Sequence, residues 1–214
     1  KRKNSKISKL VSNNSTLVGC RIPGNKFAKK LITLFGLPIA APSANLSERT
    51  SVTNIMDIDP FLEKKIFVLK DKQSSHGLES TVVRIDTNNE IEVLRYGSIT
   101  VEELNKYAKV IIKKKSSVSP GNLKKHYSTL KPIRMNAKRI LKNEGLLNFG
   151  NNKLKSKIVN LNLSNKKNLN EAAKNFYHYL HKLDQSRCKK IAVVEIPDKG
   201  LGKTINDRLR RAIK

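Results

Sequence analysis

Apolar positions along this chain recur in short blocks, and their spacing alternates between the periods of strand and helix. Residues 16–23, TLVGCRIP, are apolar enough to predict a strand, interrupted by Arg21 and ended by Pro23. From Asn25 the period becomes helical. Ala28, Leu31, Ile32 and Phe35 share one face, and Gly36 with Pro38 supplies the stop. A strand is predicted over 37–41, then a short helix over 52–62 broken at Pro60, then a strand over 65–69. Residues 80–85 and 91–95 alternate and face each other across a polar turn at 86–90, the pattern of a hairpin. Thr100 and Glu103 have capping-box spacing and open a helix predicted to reach Ala108, followed by a short strand over 110–112.

The second half repeats the alternation with stronger periodicity. Residues 158–163 read as a strand; Leu169, Ala172, Ala173, Phe176, Leu180 and Leu183 mark one helix face. The run 191–196 is an almost continuous apolar strand, and Ile205, Leu209 and Ala212 face inward on a last helix. Strand, helix, strand, helix with buried strands predicts a small parallel α/β domain. Between the halves, residues 113–131 turn to lysine, serine, proline and glycine and read as a linker, in which His126 and Tyr127 read as surface residues. The expected organisation is α/β, with domains over 1–112 and 132–214 joined by that linker.

Composition changes the picture in two places. A net charge of +27 would attract nucleic acid through counterion release. The excess is mostly lysine scattered from Lys1 to Lys214, and its tight runs are few and short, among them Lys113 to Lys115 and Arg208 to Arg211. A solvated basic surface is therefore expected ahead of a specific RNA site. Cys20 and Cys188 lie far apart beside apolar residues, which predicts buried thiols in a reducing compartment and excludes zinc-finger pairs. No apolar run reaches the roughly 18 residues of a membrane span, so a cytoplasmic protein with no membrane partner is expected.

Candidate chemistry concentrates in AAPSANLSERTS, Ala40 to Ser51. Small side chains there admit a ligand to the backbone, and Ser43, Asn45, Ser47 and Ser51 offer hydrogen bonds. The same residues could equally cap helices or end strands. Arg21 stands as either a rim charge or a ligand clamp. GLGKT at Gly200 to Thr204 imitates a phosphate-binding loop, but the first glycine of that motif would fall at Pro197; a turn into a helix is the better account.

Six short motifs occur in order: RIP at Arg21 to Pro23, PSANLS at Pro42 to Ser47, ESTVV at Glu79 to Val83, LRYG at Leu94 to Gly97, SPG with HY within Ser119 to Tyr127, and GLGKTINDRLRRA at Gly200 to Ala212. In that order they resemble the L-threonylcarbamoyladenylate synthases of the long form. The resemblance implies a partial YrdC-like twisted-sheet domain, a linker, and a small Rossmann-like α/β domain. It implies conversion of L-threonine, bicarbonate and ATP to threonylcarbamoyl-AMP and pyrophosphate, the product passing to a downstream tRNA threonylcarbamoyltransferase. Arg21, Ala41 and Ser80 would then contact threonine. Ser43, Ser51, Arg95, Tyr127 and His126 would contact ATP, and Mg²⁺ would accompany the nucleotide, held by phosphate oxygens and water.

Departures from the family pattern are Glu48 where glycine is usual, Tyr96 and Thr129 where proline is usual, Arg84 where a polar or acidic residue is usual, and Leu17 where a small hydroxyl residue is common. The family's N-terminal section, with its basic ATP-gripping motif, is expected before the RIP strand and is not matched by the residues that precede it here. The reading is therefore an N-terminally truncated or split form. Two alternatives follow from the same residues: a non-catalytic RNA-binding module or inactive remnant, and the carbamoyl-transfer module of hydrogenase maturation proteins. The second normally brings zinc-finger cysteines, which two cysteines cannot supply.

Overall fold

Helix α1 (Lys26–Phe35) begins where the Asn25 side chain accepts the Ala28 N–H at 2.9 Å and ends where Gly36, at φ 72°, donates its N–H to Ile32 O. Only glycine enters that left-handed cap without a Cβ penalty. The protein is described here from a computed structural model covering residues 7–12, 14–46, 48–69, 74–112 and 127–213. The chain divides into two compact units, Lys1–Ser43 and Ala44–Lys214.

In the first unit α1 is the only described helix, and none of its residues is buried. Phe27, Leu31, Leu34 and Phe35 are all exposed. The strands predicted over 16–23 and 37–41 are not formed. Local apolarity favours extended backbone, but a strand also needs a ladder, and among the described residues neither segment takes part in one. With no strand to bury it, Cys20 is exposed, contrary to the expectation of a buried thiol; Cys188 is buried as expected.

In the second unit, the helix predicted over 52–62 is reduced to a 3₁₀ turn (Ile55–Asp57) capped by Asn54 and to α2 (Pro60–Glu63), capped by Asp59 with Pro60 in its first turn. No strand forms over 65–69. The hairpin is present as β1 (Val82–Ile85) and β2 (Ile91–Arg95), antiparallel with a register shift between Val82 and Val83. A third strand, β3 (Val110–Ile111), pairs parallel to β2. Between them, α3 (Val101–Leu104) opens on the predicted capping box. It ends early, and Asn105 Oδ1 accepts the Val110 N–H at 3.1 Å.

The second sheet has four strands, β4 (Ile133–Arg134), β5 (Glu144–Asn148), β6 (Asn160–Asn162) and β7 (Lys190–Val193), all parallel in the order β4-β7-β5-β6. Helix α4 (Leu169–Gln185) joins β6 to β7, and α5 (Leu201–Ala212) closes the described chain. The expected small parallel α/β domain is thus present. Interior strand β5, every residue of which is buried, was not anticipated. The core lies between this sheet and the two helices, with Leu146, Leu147, Phe176, Leu183, Ile191 and Leu209 fully inaccessible. Tyr127 and Thr129, at the end of the predicted linker, are 2% and 1% exposed. Tyr127 belongs to the same core cluster and is no surface residue.

Candidate active site

The inward face of α5 carries Ile205, Arg208, Leu209 and Ala212, the i, i+3, i+4, i+7 stripe of a buried helix face. Arginine at a stripe position must bring a partner, because an unpaired buried charge is costly. Arg208 is fully buried and finds Glu79: its Nε donates to Oε2 at 2.9 Å. Its other nitrogens donate to the Tyr96 carbonyl at 2.6 Å and to Asp207 at 2.5 Å. The guanidinium lies 4.8 Å from the centre of the Tyr127 ring, a cation–π contact.

Glu79 is the hub of this arrangement. Its Oε1 accepts the Ser51 hydroxyl at 2.5 Å and the Tyr177 hydroxyl at 2.6 Å, so loop, α4 and α5 all converge on one carboxylate. Burial pushes its carboxyl up, but the Arg208 charge and the hydrogen bonds from Ser51, Tyr177 and Arg208 outweigh it and hold the group below the ordinary carboxylate range. Burial also raises the Tyr177 phenol far above its usual value, with the Glu79 charge adding to the effect; the Tyr127 phenol is raised for the same two reasons. Burial alone would lower the Arg208 guanidinium, and the charge of Glu79, together with smaller contributions from Tyr177, Tyr127 and Asp207, reverses that. Glu79 is therefore an anion, both tyrosines are neutral, and Tyr177 is a donor to Glu79 at physiological pH.

The backbone around this hub is tightly fitted. A Cβ on Gly97 would fall 2.2 Å from Thr81 N and 2.5 Å from Glu79 O, so only glycine lets the LRYG segment lie against the ESTVV segment. Ser98 N donates to Glu79 O at 2.9 Å, and Thr204 Oγ1 donates to Gly97 O at 2.9 Å. Arg95 Nη2 donates to Ser80 O, also at 2.9 Å. Helix α4 adds two histidines: His178 Nδ1 faces Asp57 Oδ2 at 2.9 Å, and His181 Nε2 lies 3.0 Å from Thr50 Oγ1 and 3.3 Å from Ser51 O.

Of the predicted contacts, Ser51, Ser80, Arg95 and Tyr127 are gathered around Glu79 and Arg208 in the second unit. Arg21, Ala41 and Ser43 stand in the first unit, all exposed. His126, Ser47 and the SPG motif lie outside the described residues. Glu79, Tyr177 and Arg208 carried no predicted role, although Arg208 on an apolar stripe was a visible signal. Glu48 adopts φ 65°, the left-handed region that explains why glycine is usual there, and its side chain is exposed. Arg84 pairs with the buried Glu92 directly across the hairpin. Thr129 closes a local turn by donating to Lys131 O at 2.6 Å.

A cleft of about 370 Å³ in the second unit is lined by Ser75, His76, Ser98, Thr100, Glu103 and the first residues of α4 and α5. None of the predicted substrate contacts lines it, so the Glu79 cluster, with its convergent buried polar groups, is the better candidate site. Among the described residues no group of three or more His, Cys, Asp or Glu side chains is placed to hold a metal ion. No described helix is long and apolar enough to cross a membrane.

Residues 1–97 match the family described as Telomere recombination, and residues 99–213 match the family described as Threonylcarbamoyl-AMP synthase, C-terminal domain. Proteins named Threonylcarbamoyl-AMP synthase are similar to the chain in three organisms. The one from Pyrococcus abyssi is 25% identical over 241 residues, covering 98% of this chain and 68% of the relative. That from Schizosaccharomyces pombe is 32% identical over 139 residues, 58% of this chain and 34% of the relative. For Bacillus subtilis the figures are 27% over 228 residues, 96% and 66%.

The crystal structure of P. abyssi Sua5 complexed with L-threonine matches the fold with a TM-score of 0.79 at 22% identity, over 98% of this chain and 67% of that one. A variant of the same protein, with a histidine and the adjacent tyrosine replaced by alanine, gives 0.78 at 23%, over 99% and 66%. The chain spans from about a third to about two thirds of the length of these relatives. With a family match extending over more than half of its length, the chain belongs to the threonylcarbamoyl-AMP synthase family.

Proposed function

We propose that this chain works in the synthesis of threonylcarbamoyl-AMP from L-threonine, bicarbonate and ATP, with release of pyrophosphate, for threonylcarbamoyladenosine modification of tRNA. The observation that carries the reading is the pair of consecutive family matches, 1–97 and 99–213, on one chain. The chemistry is carboxylation of the threonine amine followed by attack of the new carboxylate oxygen on the α-phosphorus, expelling pyrophosphate. It requires two anions held in line more than it requires a protein nucleophile.

Roles follow from the positions that match the family motifs. The paired donors of Arg21 suit the threonine carboxylate, with Ala41 and Ser80 as further threonine contacts; charge-assisted bonds of this kind contribute about 1.5–3 kcal/mol each. Ser43, Ser51 and Arg95 are proposed to contact ATP. Ser51 already donates its hydroxyl to Glu79, so it would meet a phosphate through its backbone N–H and a ribose hydroxyl through its oxygen. Tyr127 is so enclosed that a nucleotide contact requires its ring to leave Arg208. Mg²⁺ would arrive as the ATP complex, its ligands phosphate oxygens and water.

The test is pyrophosphate release from ATP with threonine and bicarbonate, run on the chain alone and again with the N-terminal segment of a long relative supplied separately. Release that requires all three substrates in either arm supports the reading. Its absence from both arms would sink it.

A further inference from the structure

Arg208 joins pieces of chain that are far apart in sequence. One guanidinium reaches Glu79 at the head of ESTVV and the carbonyl of Tyr96 in LRYG, and one turn earlier Thr204 reaches the carbonyl of Gly97. Glu79 in turn holds Ser51, and the Ser98 N–H closes the loop on Glu79 O. Apart from the Thr204 bond to Gly97, each of these bonds is made at a residue adjacent to, or identical with, a predicted substrate contact: Ser51 itself, Ser80 after Glu79, Arg95 before Tyr96. Burial is complete at Arg208 and the partners are fully converged, so the geometry is that of a clamp with little room for alternatives.

We propose that Arg208, on the last helix of the C-terminal domain, is a positioning residue that fixes Ser51, Ser80 and Arg95 relative to one another through Glu79 and the Tyr96 carbonyl. Calling those three residues substrate contacts rests on the synthase reading; the clamp itself does not. The Glu79 carboxylate fixes the Ser51 hydroxyl. The Tyr96 carbonyl fixes the strand end that carries Arg95, and Ser80 follows because Arg95 donates to its carbonyl. A lysine in place of Arg208 keeps the charge but offers one compact ammonium, which cannot span Glu79, Tyr96 O and Asp207 as the fork does.

Amide hydrogen exchange of the full chain tests the clamp without recourse to activity. In Arg208→Lys, peptides covering 79–83 and 95–99 are expected to exchange roughly tenfold faster or more, while those covering 144–148 and 190–193 stay near wild-type rates. Tyr177→Phe removes one of the three donors on Glu79 and decides the matter if the lysine variant does not fold; the same pattern, smaller, is expected. Unchanged exchange over 79–83 and 95–99, or a rise of equal size throughout the chain, would overturn the proposal. Where pyrophosphate release is measurable, Arg208→Lys should lower kcat more than it raises KM for ATP and threonine. An inactive wild type would count against the synthase reading and leave the exchange result standing.

Discussion

Helices α1 and α4 are built by the same local rules and end differently. Both are amphipathic and both are opened by an asparagine whose side chain accepts amides of the first turn. Yet α4 buries Ala172, Ala173, Phe176, Tyr177, Leu180 and Leu183, while α1 buries nothing. Periodicity reveals which face of a helix needs cover and says nothing about what covers it. Ten residues is also below the roughly 12–15 at which an isolated helix holds itself together in water, so α1 draws little from propensity alone. The second unit has a core and the described part of the first has no buried hydrophobic residue.

Truncation is the bluntest way to break that comparison. Phe176→Ala, at a fully buried ring, should cost about 3–5 kcal/mol and lower the urea midpoint of the full chain accordingly. Leu34→Ala, at a side chain 76% exposed, should stay within about 0.5 kcal/mol. Equal losses at the two positions would show that α1 is as well packed as α4. Next in size is Arg208→Met, which strands the Glu79 carboxylate and should cost about 3 kcal/mol. Adding Glu79→Gln to that variant should recover part of the loss, because the uncompensated charge is gone; no recovery would mean that lost packing, and not the charge, sets the cost.

Acid titration sharpens the same point. Glu79 has its folded carboxyl held below the ordinary range, so the stability it contributes is fully present above that range and is lost as pH falls through the folded value. The stability difference between wild type and Glu79→Gln, from urea unfolding, should be largest near neutrality and shrink on acidification. Glu102, Glu103 and Glu144 are also held low, but they are common to both proteins and cancel in the difference. A difference constant down to the acid limit would remove Glu79 from the set of paired anions.

What could be read from the sequence divides along the same line between local and long-range causes. Helix ends were legible because their signals lie within a few residues: Asn25 and Gly36 around α1, Thr100 and Glu103 at α3. The strand at 144–148 was not legible. It begins with a glutamate and a glycine, and its burial depends on Arg134, which donates to both Glu144 carboxylate oxygens. The strands expected at 16–23 and 37–41 erred oppositely, being apolar without a ladder. Ser51, Ser80 and Arg95 could be picked out by resemblance. Their support could not, since Tyr177 and Arg208 lie 98 and 129 positions from Glu79. Nothing in spacing points across such a distance; only Arg208 on an apolar helix stripe hinted at it.

The smallest expected effect concerns left-handed backbone. Both units place glycines at such positions, Gly36 in the first and Gly77, Gly150 and Gly200 in the second, but the second also places Glu48 and Tyr127 there, at φ 65°. Left-handed backbone costs an L-residue about 1–2 kcal/mol, and glycine gives back about 0.5–1 kcal/mol through the flexibility of its unfolded chain. Glu48→Gly should therefore stabilise the chain by about 0.5 kcal/mol. The Glu48 carbonyl bond from Ser128 N, 2.8 Å, uses only backbone and survives the change. Gly36→Ala should lose about 1 kcal/mol if the first unit unfolds together with the second, and nothing in the main transition if it does not. Glu48→Ala separates the two possible causes, since it removes the exposed carboxylate but retains the strained backbone. A gain from alanine as large as that from glycine would locate the effect in charge, and the left-handed turn at Glu48 would then cost the protein nothing measurable.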